Sequence, residues 1–298
     1  MDKKGRFFNN LLTYLGFAGP ATFVFLAVII LPFLYGLYLS MTNSDVLTAN
    51  PHFVGLANYK IVLADSQFWS SFILSLRYVF WTVLLTNGIA FLLAYLLSQG
   101  MKGQNFLRTA YFTPYLIGGI ILGVLWKNLI FMRVFPFLGD LLKIPLFEKT
   151  WFNDPEHAFW ALVIGFTWQY IGYMMMIYIA GFMSIPQELL EAASIDGANS
   201  LKRLKHITLP FMVTPVIITA LLSLQRSFMV FDVNYSLTGG EPYRSTVLVS
   251  LYVYDKAFRS QAPSAYGIGQ SEAFFLCLVV AVIAVTQYYF GKKLEVEQ

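Results

Sequence analysis

Ser184-Ile-Pro-Gln-Glu-Leu-Leu-Glu-Ala-Ala-Ser-Ile-Asp-Gly-Ala-Asn-Ser-Leu-Lys-Arg-Leu-Lys-His-Ile-Thr-Leu-Pro210 is a polar island between two apolar runs, 158–185 and 209–230. Its local signals predict helix, turn, helix. Ser184 suits an N-cap, Pro186 an early helical position, and Gln187 completes a capping box. Leu189, Leu190, Ala193 and Ile195 form a short apolar face. Gly197 tolerates the positive φ of a chain reversal, and Asp196 or Asn199 can cap the second helix. Leu201, Leu204 and Ile207 then repeat at threes until Pro210 opens the next apolar run. Two physical readings fit such a segment. It can lie on lipid headgroups, anchored by Lys202, Arg203 and Lys205, or it can be a knob pushed into a partner's cleft.

The flanking apolar runs have counterparts along the whole chain. Hydrophobic residues fill 57% of 298 positions, charged residues 12%, and mean hydropathy is +0.62. Soluble domains carry about 25% charged residues. A chain this poor in charge cannot cover itself in water, so lipid is its solvent. About 20 helical residues cross roughly 30 Å of hydrocarbon. Six runs qualify: 14–40, 71–97, 109–126, 158–185, 209–230 and 271–291. The first follows Lys3, Lys4 and Arg6 but is too long for a signal peptide, with no small-residue cleavage site behind it. It reads as an uncleaved span in which Pro20 and Pro32 are tolerated as bends. The expected fold is an all-α integral membrane domain with six transmembrane helices. An N-terminal segment, 1–13, and a first helix, 14–40, precede a five-helix core, 71–291, that contains the loop at 186–208.

Basic residues orient the spans. With a cytoplasmic N-terminus, the inside segments hold ten of the 20 Lys/Arg, including Lys102, Arg108, Lys202, Arg203, Lys205, Lys292 and Lys293. The longer outside segments hold eight, so both termini are expected in the cytoplasm. The net charge of +4 is scattered around the spans and shows no stripe suited to nucleic acid.

Several chemistries are missing. No phosphate-binding G-x-x-x-x-G-K-[ST] loop occurs. His52, His157 and His206 lie apart and, with the single Cys277, offer no metal-ligand spacing. The first five predicted spans contain no Asp or Glu, and Glu272 only marks the edge of the sixth. Proton-coupled carriers relay through such groups. No catalytic residue, metal or cofactor is therefore expected, and a transporter of this kind takes its energy from elsewhere. The competing reading is an ATP-independent secondary carrier of a small polar solute, with ion coupling through backbone carbonyls.

Glu191-Ala192-Ala193, Asp196-Gly197-Ala198 and Ile207-Thr208-Leu209-Pro210 resemble the "EAA" signature of bacterial ABC importer permeases. Further landmarks occur in the family's order. They are Phe53-Val-Gly-Leu-Ala-Asn-Tyr59, Trp151-Phe-Asn-Asp-Pro155, Phe231-Asp232, Leu237-Thr238-Gly239-Gly240, Tyr252-Val-Tyr254, Ala257-Phe258 and Tyr266-Gly267. One departure is Gly240-Glu241-Pro242, where the family usually has Gly-Gly-Pro. The resemblance is to the carbohydrate group, the maltose- and glycerol-phosphate-type permeases, and implies a MetI/MalF-like permease fold with a cytoplasmic helix-turn-helix coupling loop. It further implies a bacterial inner-membrane importer of sugars or oligosaccharides working by alternating access. The implied partners are a second, homologous permease, two cytoplasmic ATP-binding subunits and an extracellular solute-binding protein. Glu191, Ala192, Asp196 and Gly197 become the ATPase-coupling residues.

Substrate should meet polar and aromatic groups near mid-membrane. Trp168, Gln169 and Tyr173 lie on the fourth span, with Gln169 and Tyr173 spaced i, i+4. Ser223, Arg226 and Ser227 lie on the fifth, spaced to share a face. Tyr173, Ser223, Arg226 and Ser227 are similar in position to the family's sugar-contacting sites. Serine and glutamine in spans also serve as helix–helix hydrogen bonds, and Arg226, like Arg77, is placed to snorkel to the outer interface. If Arg226 lines the pathway, it favours an anionic sugar.

Overall fold

The computed structural model describes residues 13, 16–45, 51–148 and 150–296. The predicted N-terminal segment, with Lys3, Lys4 and Arg6, lies almost wholly outside the described residues. The described chain is helical apart from turns and one isolated bridge between Thr42 and Phe53. It divides into two compact units, 1–65 with 253–276, and 66–252 with 277–298.

The first unit opens with α1, Gly19–Ser40, followed by α2, Ala57–Ala64. Polar side chains tie the turn between them. Asn58 Nδ2 donates to the Ser40 and Thr42 carbonyls, both at 2.8 Å, and Tyr59 shares a 2.7 Å hydrogen bond with Ser40. The first of these contacts satisfies a carbonyl that α1 leaves open at its C-terminal end, and the second fixes the turn just beyond it.

The second unit contains α3 (Ser66–Leu97), α4 (Gln104–Phe112), α5 (Gly119–Leu142) and α6 (Pro155–Met183). They are followed by α7 (Gln187–Ile195), α8 (Ser200–Phe211), α9 (Val213–Phe228), α10 (Asp232–Leu237) and α11 (Val249–Tyr254). The last helix, α12 (Ala265–Val296), starts in the first unit and ends in the second.

Five helices are long and apolar enough to cross a bilayer: α1, α3, α5, α6 and Ala265–Tyr289 of α12. The pair α8 and α9, bent by 65°, makes a sixth. The expected six-span, all-helical architecture is thus observed. One span differs from the reading 109–126. The chain is helical from Gln104 to Leu116, turns extended at Ile117 and Gly118, and restarts as α5. Pro114 sits in a 3-10 turn, and the extended backbone at Ile117 and Gly118 is a break that the apolar count alone does not register. Asp140 consequently falls inside a candidate span, contrary to the expected absence of carboxylates there.

Helix α6 is the hub of the second unit. Some 61% of its apolar window is buried, against 28% for that of α3. Tyr78, Phe159, Phe166 and Trp151 form one aromatic cluster with Leu122, Val233 and Leu237. Ala90, Met174, Met175, Tyr178 and Phe182 form a second, toward the other end of α6. Lipid gives little hydrophobic drive to such contacts, so small residues and polar joints carry the association. Gly172 supplies the closest approach. A Cβ there would run into the Tyr111 carbonyl and the Phe112 backbone of α4.

A polar ladder joins α3, α6 and α9. Thr219 Oγ1 donates to Tyr178 OH at 2.7 Å, and Tyr178 OH donates to Asn87 Oδ1 at 3.0 Å. Asn87 Nδ2 donates to Ser223 Oγ at 2.8 Å, and Thr82 Oγ1 to Ser227 Oγ at 2.9 Å. Every rung pairs a group that would be costly alone in hydrocarbon. Nearer the start of α6, Arg77 pairs with Glu156 and lies 4.2 Å from the Phe159 ring centre. Asp154 caps α6 by accepting from the His157 amide at 2.9 Å, which holds its carboxyl below the ordinary carboxylate range.

Candidate functional site

The segment 186–208 folds as helix, turn, helix, and its reversal is set by backbone hydrogen bonds. The Ala198 amide donates to the Ala193 carbonyl at 2.9 Å and the Gly197 amide to Ser194 at 3.1 Å. Together these are a Schellman closure, with Gly197 at φ +75° in its left-handed position. Asn199 then caps α8, its Oδ1 accepting from the Lys202 amide at 2.9 Å. Arg203 Nη1 donates to Ser194 Oγ at 2.9 Å and ties α8 back to α7. Ser184 does something other than expected. Helix α6 runs on to Met183, so Ser184 is its C-cap and donates to the Gly181 carbonyl at 2.8 Å. Helix α7 starts after Pro186 without a side-chain cap.

The two faces of this element differ. Leu190 and Ile207 pack against the second aromatic cluster. Ile195 and Leu201 point outward, 86% and 72% exposed. Glu191, Ala192, Asp196 and Gly197 lie around the reversal, with Glu191, Ala192, Asp196 and Gly197 open to the surroundings. Nothing in the protein lies within 4 Å of a Cβ placed on Gly197. The hydrogen-bonded turn thus presents exposed apolar and acidic residues together.

The predicted pathway residues divide among four environments. Gln169 and Arg226 line one cavity of about 450 Å³ together with Tyr170, Gln225 and Asp232. Gln169 Nε2 also donates to the Ile117 carbonyl at 2.9 Å, which is freed where α4 and α5 part. Ser223 and Ser227, at 0% and 1% exposure, face α3 and belong to the polar ladder. Arg226 is one residue from Ser227, about 100° around the helix, and so reaches a different neighbour. Trp168 meets Trp126 edge-on at 5.4 Å beside a separate apolar cavity of about 300 Å³. Tyr173 stacks on Tyr115, centroids 4.5 Å apart and planes within 8°.

Asp232, Tyr170 and Gln225 join the cavity without a sequence signal that marks them as pathway residues. Asp232 is half of the Phe231-Asp232 landmark, but its place opposite Arg226 depends on the turn after α9. Its Oδ1 accepts from the Val233 amide at 2.9 Å. Arg226 and Asp232 share the cavity without an ion pair between them among the described residues. The arrangement offers a ligand both charge signs, two amides and a phenol, and it contains no nucleophile–base pair.

Six candidate spans, an exposed helix-turn-helix and a polar cavity against the hub helix define a multi-pass membrane permease. Residues 86–296 match the binding-protein-dependent transport system inner membrane component family, and the chain belongs to it. It is 37% identical, over the full length of both chains, to a probable starch degradation products transport system permease of Thermoanaerobacterium thermosulfurigenes. A trehalose/maltose transport system permease of Thermococcus litoralis is 32% identical, covering 92% of this chain and 91% of that one. A chain of a bacterial alginate ABC transporter, crystallised with an alginate pentasaccharide-bound periplasmic protein, shares the fold. Its TM-score is 0.81 at 19% identity, with 96% of each chain covered.

Proposed function

We propose that this chain is one permease subunit of a bacterial inner-membrane ABC importer for sugars or oligosaccharides, with both termini and the 186–208 turn in the cytoplasm. The exposed, hydrogen-bonded turn at Asp196-Gly197-Ala198 carries this reading. Glu191, Ala192, Asp196 and Gly197 face a cytoplasmic ATPase, and Ile195 and Leu201 supply apolar surface to the same contact. Two ATPase subunits and a second, homologous permease complete the membrane complex, and an external binding protein delivers the ligand. Closure of the ATPase pair pulls the turns together and rocks the permeases between inward- and outward-open states. ATP and ligand drive this cycle only through contacts that differ between those states.

The cavity of Gln169, Tyr170, Gln225, Arg226 and Asp232 is the proposed sugar contact in this chain. Amide and guanidinium donors with a carboxylate acceptor suit hydroxyl groups, and the Tyr170 ring offers an apolar wall. Tyr173 and, separately, Trp168 are assigned to the pathway wall, while Ser223 and Ser227 hold its helices in register. The carbohydrate relatives support this choice of substrate class. The test is the intact membrane complex reconstituted in vesicles with its binding protein. Because Asp232 offsets the Arg226 charge in this cavity, the anionic preference expected of Arg226 alone gives way to neutral oligosaccharides, whose ATP-dependent uptake is expected and should be abolished by vanadate. Uptake driven instead by an ion gradient without nucleotide would reject the proposal.

A further inference from the structure

Beside the 186–208 turn lies a cavity of about 430 Å³ that is separate from the proposed sugar contact. It is walled by the ends of α3 and α6 together with α7 and α8. Gln99, Gln187, Ser200, Arg203 and Thr208 supply polar groups. Tyr95 and Phe182, with ring centres 5.8 Å apart, supply an aromatic wall. Glu191, Asp196, Ile195 and Leu201, proposed to meet the ATPase, are not among the lining residues.

The charge of this cavity is one-sided. No lining residue is acidic, and Arg203 is the ionised side chain in the wall. Its Nη1 donates to Ser194 Oγ at 2.9 Å and its Nη2 to Ser200 Oγ at 3.5 Å. No carboxylate pairs with it among the described residues. Hydroxyls aim a guanidinium without cancelling its charge, and these two bonds engage only part of its donor set. The sugar cavity differs, because Asp232 accompanies Arg226 there. Depth selects the anion further. Helix α3 ends at Leu97 and α6 at Met183, so the cavity sits where two candidate spans end, at the level of lipid headgroups. Phosphate is the common anion of that layer, and a guanidinium can hold two of its oxygens at once.

We propose that this cavity binds a phosphate ester that carries hydroxyl groups, with Arg203 on the phosphate and Gln99, Gln187, Ser200 and Thr208 on the hydroxyls. Two sources share this chemistry, a phosphatidylglycerol headgroup and a soluble sugar phosphate. Either one contacts α3, α6, α7 and α8 together and so braces the turn against the ends of two spans. Access from the cytoplasm rests on the orientation proposed above, whereas binding to the chain does not.

The purified full chain in lipid nanodiscs, without importer partners, tests the site apart from the transport reading. In phosphatidylcholine discs, saturable binding of radiolabelled glucose 6-phosphate is measured. From discs that also contain phosphatidylglycerol, native mass spectrometry counts the phosphatidylglycerol that the chain retains. Binding in the first arm assigns a soluble ligand, and retention in the second assigns a lipid. In whichever arm is positive, Arg203→Gln should weaken binding about tenfold or more, as expected for loss of a charged hydrogen bond. Gln187→Glu keeps Arg203 with its two hydroxyl partners, adds a carboxylate to the cavity and should weaken binding likewise. Absence of binding in both arms, or binding that either variant leaves unchanged, would overturn the proposal.

Discussion

Gly197→Pro is expected to reduce uptake to background while leaving membrane insertion and the amount of permease unchanged. Proline fixes φ near −65°, whereas Gly197 sits at +75°. The substitution also removes the amide that donates to Ser194, one of the two bonds closing the reversal. Loss of this kind costs about 3 kcal/mol or more in a helical setting. Here it falls on an exposed turn with open space around it, so the damage stays local. The expected consequence is a change in the angle between α7 and α8, and with it the surface proposed to meet the ATPase. Glu191→Lys is expected to act likewise by reversing an exposed charge of the same surface. The check is vesicle uptake together with recovery of the ATPase on affinity-tagged permease. Full recovery of ATPase with both variants would count against the docking role.

Gly172→Leu is expected to give a large loss of stability. The obstacle at Gly172 is the backbone of Tyr111 and Phe112 rather than a movable side-chain end. Overpacking a well-filled contact costs about 1–3 kcal/mol and occasionally more, and backbone obstruction belongs at the upper end. The effect should spread to the cavity. Gln169 holds the Ile117 carbonyl and Tyr173 stacks on Tyr115, and both contacts flank Gly172 on α6. Melting of the purified chain in lipid, with uptake by the assembled complex, measures both consequences. An unchanged melting temperature would mean that α4 and α6 do not approach as closely as described.

Legibility in the residues tracks the range of the interaction. Apolar length is a local property, and for five of six spans it places the ends within two residues but the starts three to nine residues off. Gly197 is legible for the same reason, because a positive φ is a demand placed on one residue. Span 109–126 is displaced because hydropathy counts apolar residues and ignores a backbone break at Ile117 and Gly118. Ser184 fits the spacing of a capping box, but the longer α6 claims it first. The ladder is not legible at all. Asn87 finds Ser223 across 136 residues and Tyr178 across 91, and nothing local marks such partners. Spacing alone puts Arg226 and the two serines on one face. Packing against α3 turns the serines inward and leaves Arg226 to the cavity with Asp232. The family resemblance rests on the turn and on landmarks spread along the chain, so it survives these misplacements.

The orientation of the 186–208 turn is the point on which transport by an ATP-driven complex depends. Ile195 is 86% exposed at the reversal, and Cys277 is the chain's single cysteine. In a Cys277→Ser background, Ile195→Cys should react with a membrane-impermeant thiol reagent in inverted vesicles and stay unlabelled in intact cells, with labelling lost when the ATPase is bound. Labelling of Ile195→Cys from outside intact cells would contradict the assignment.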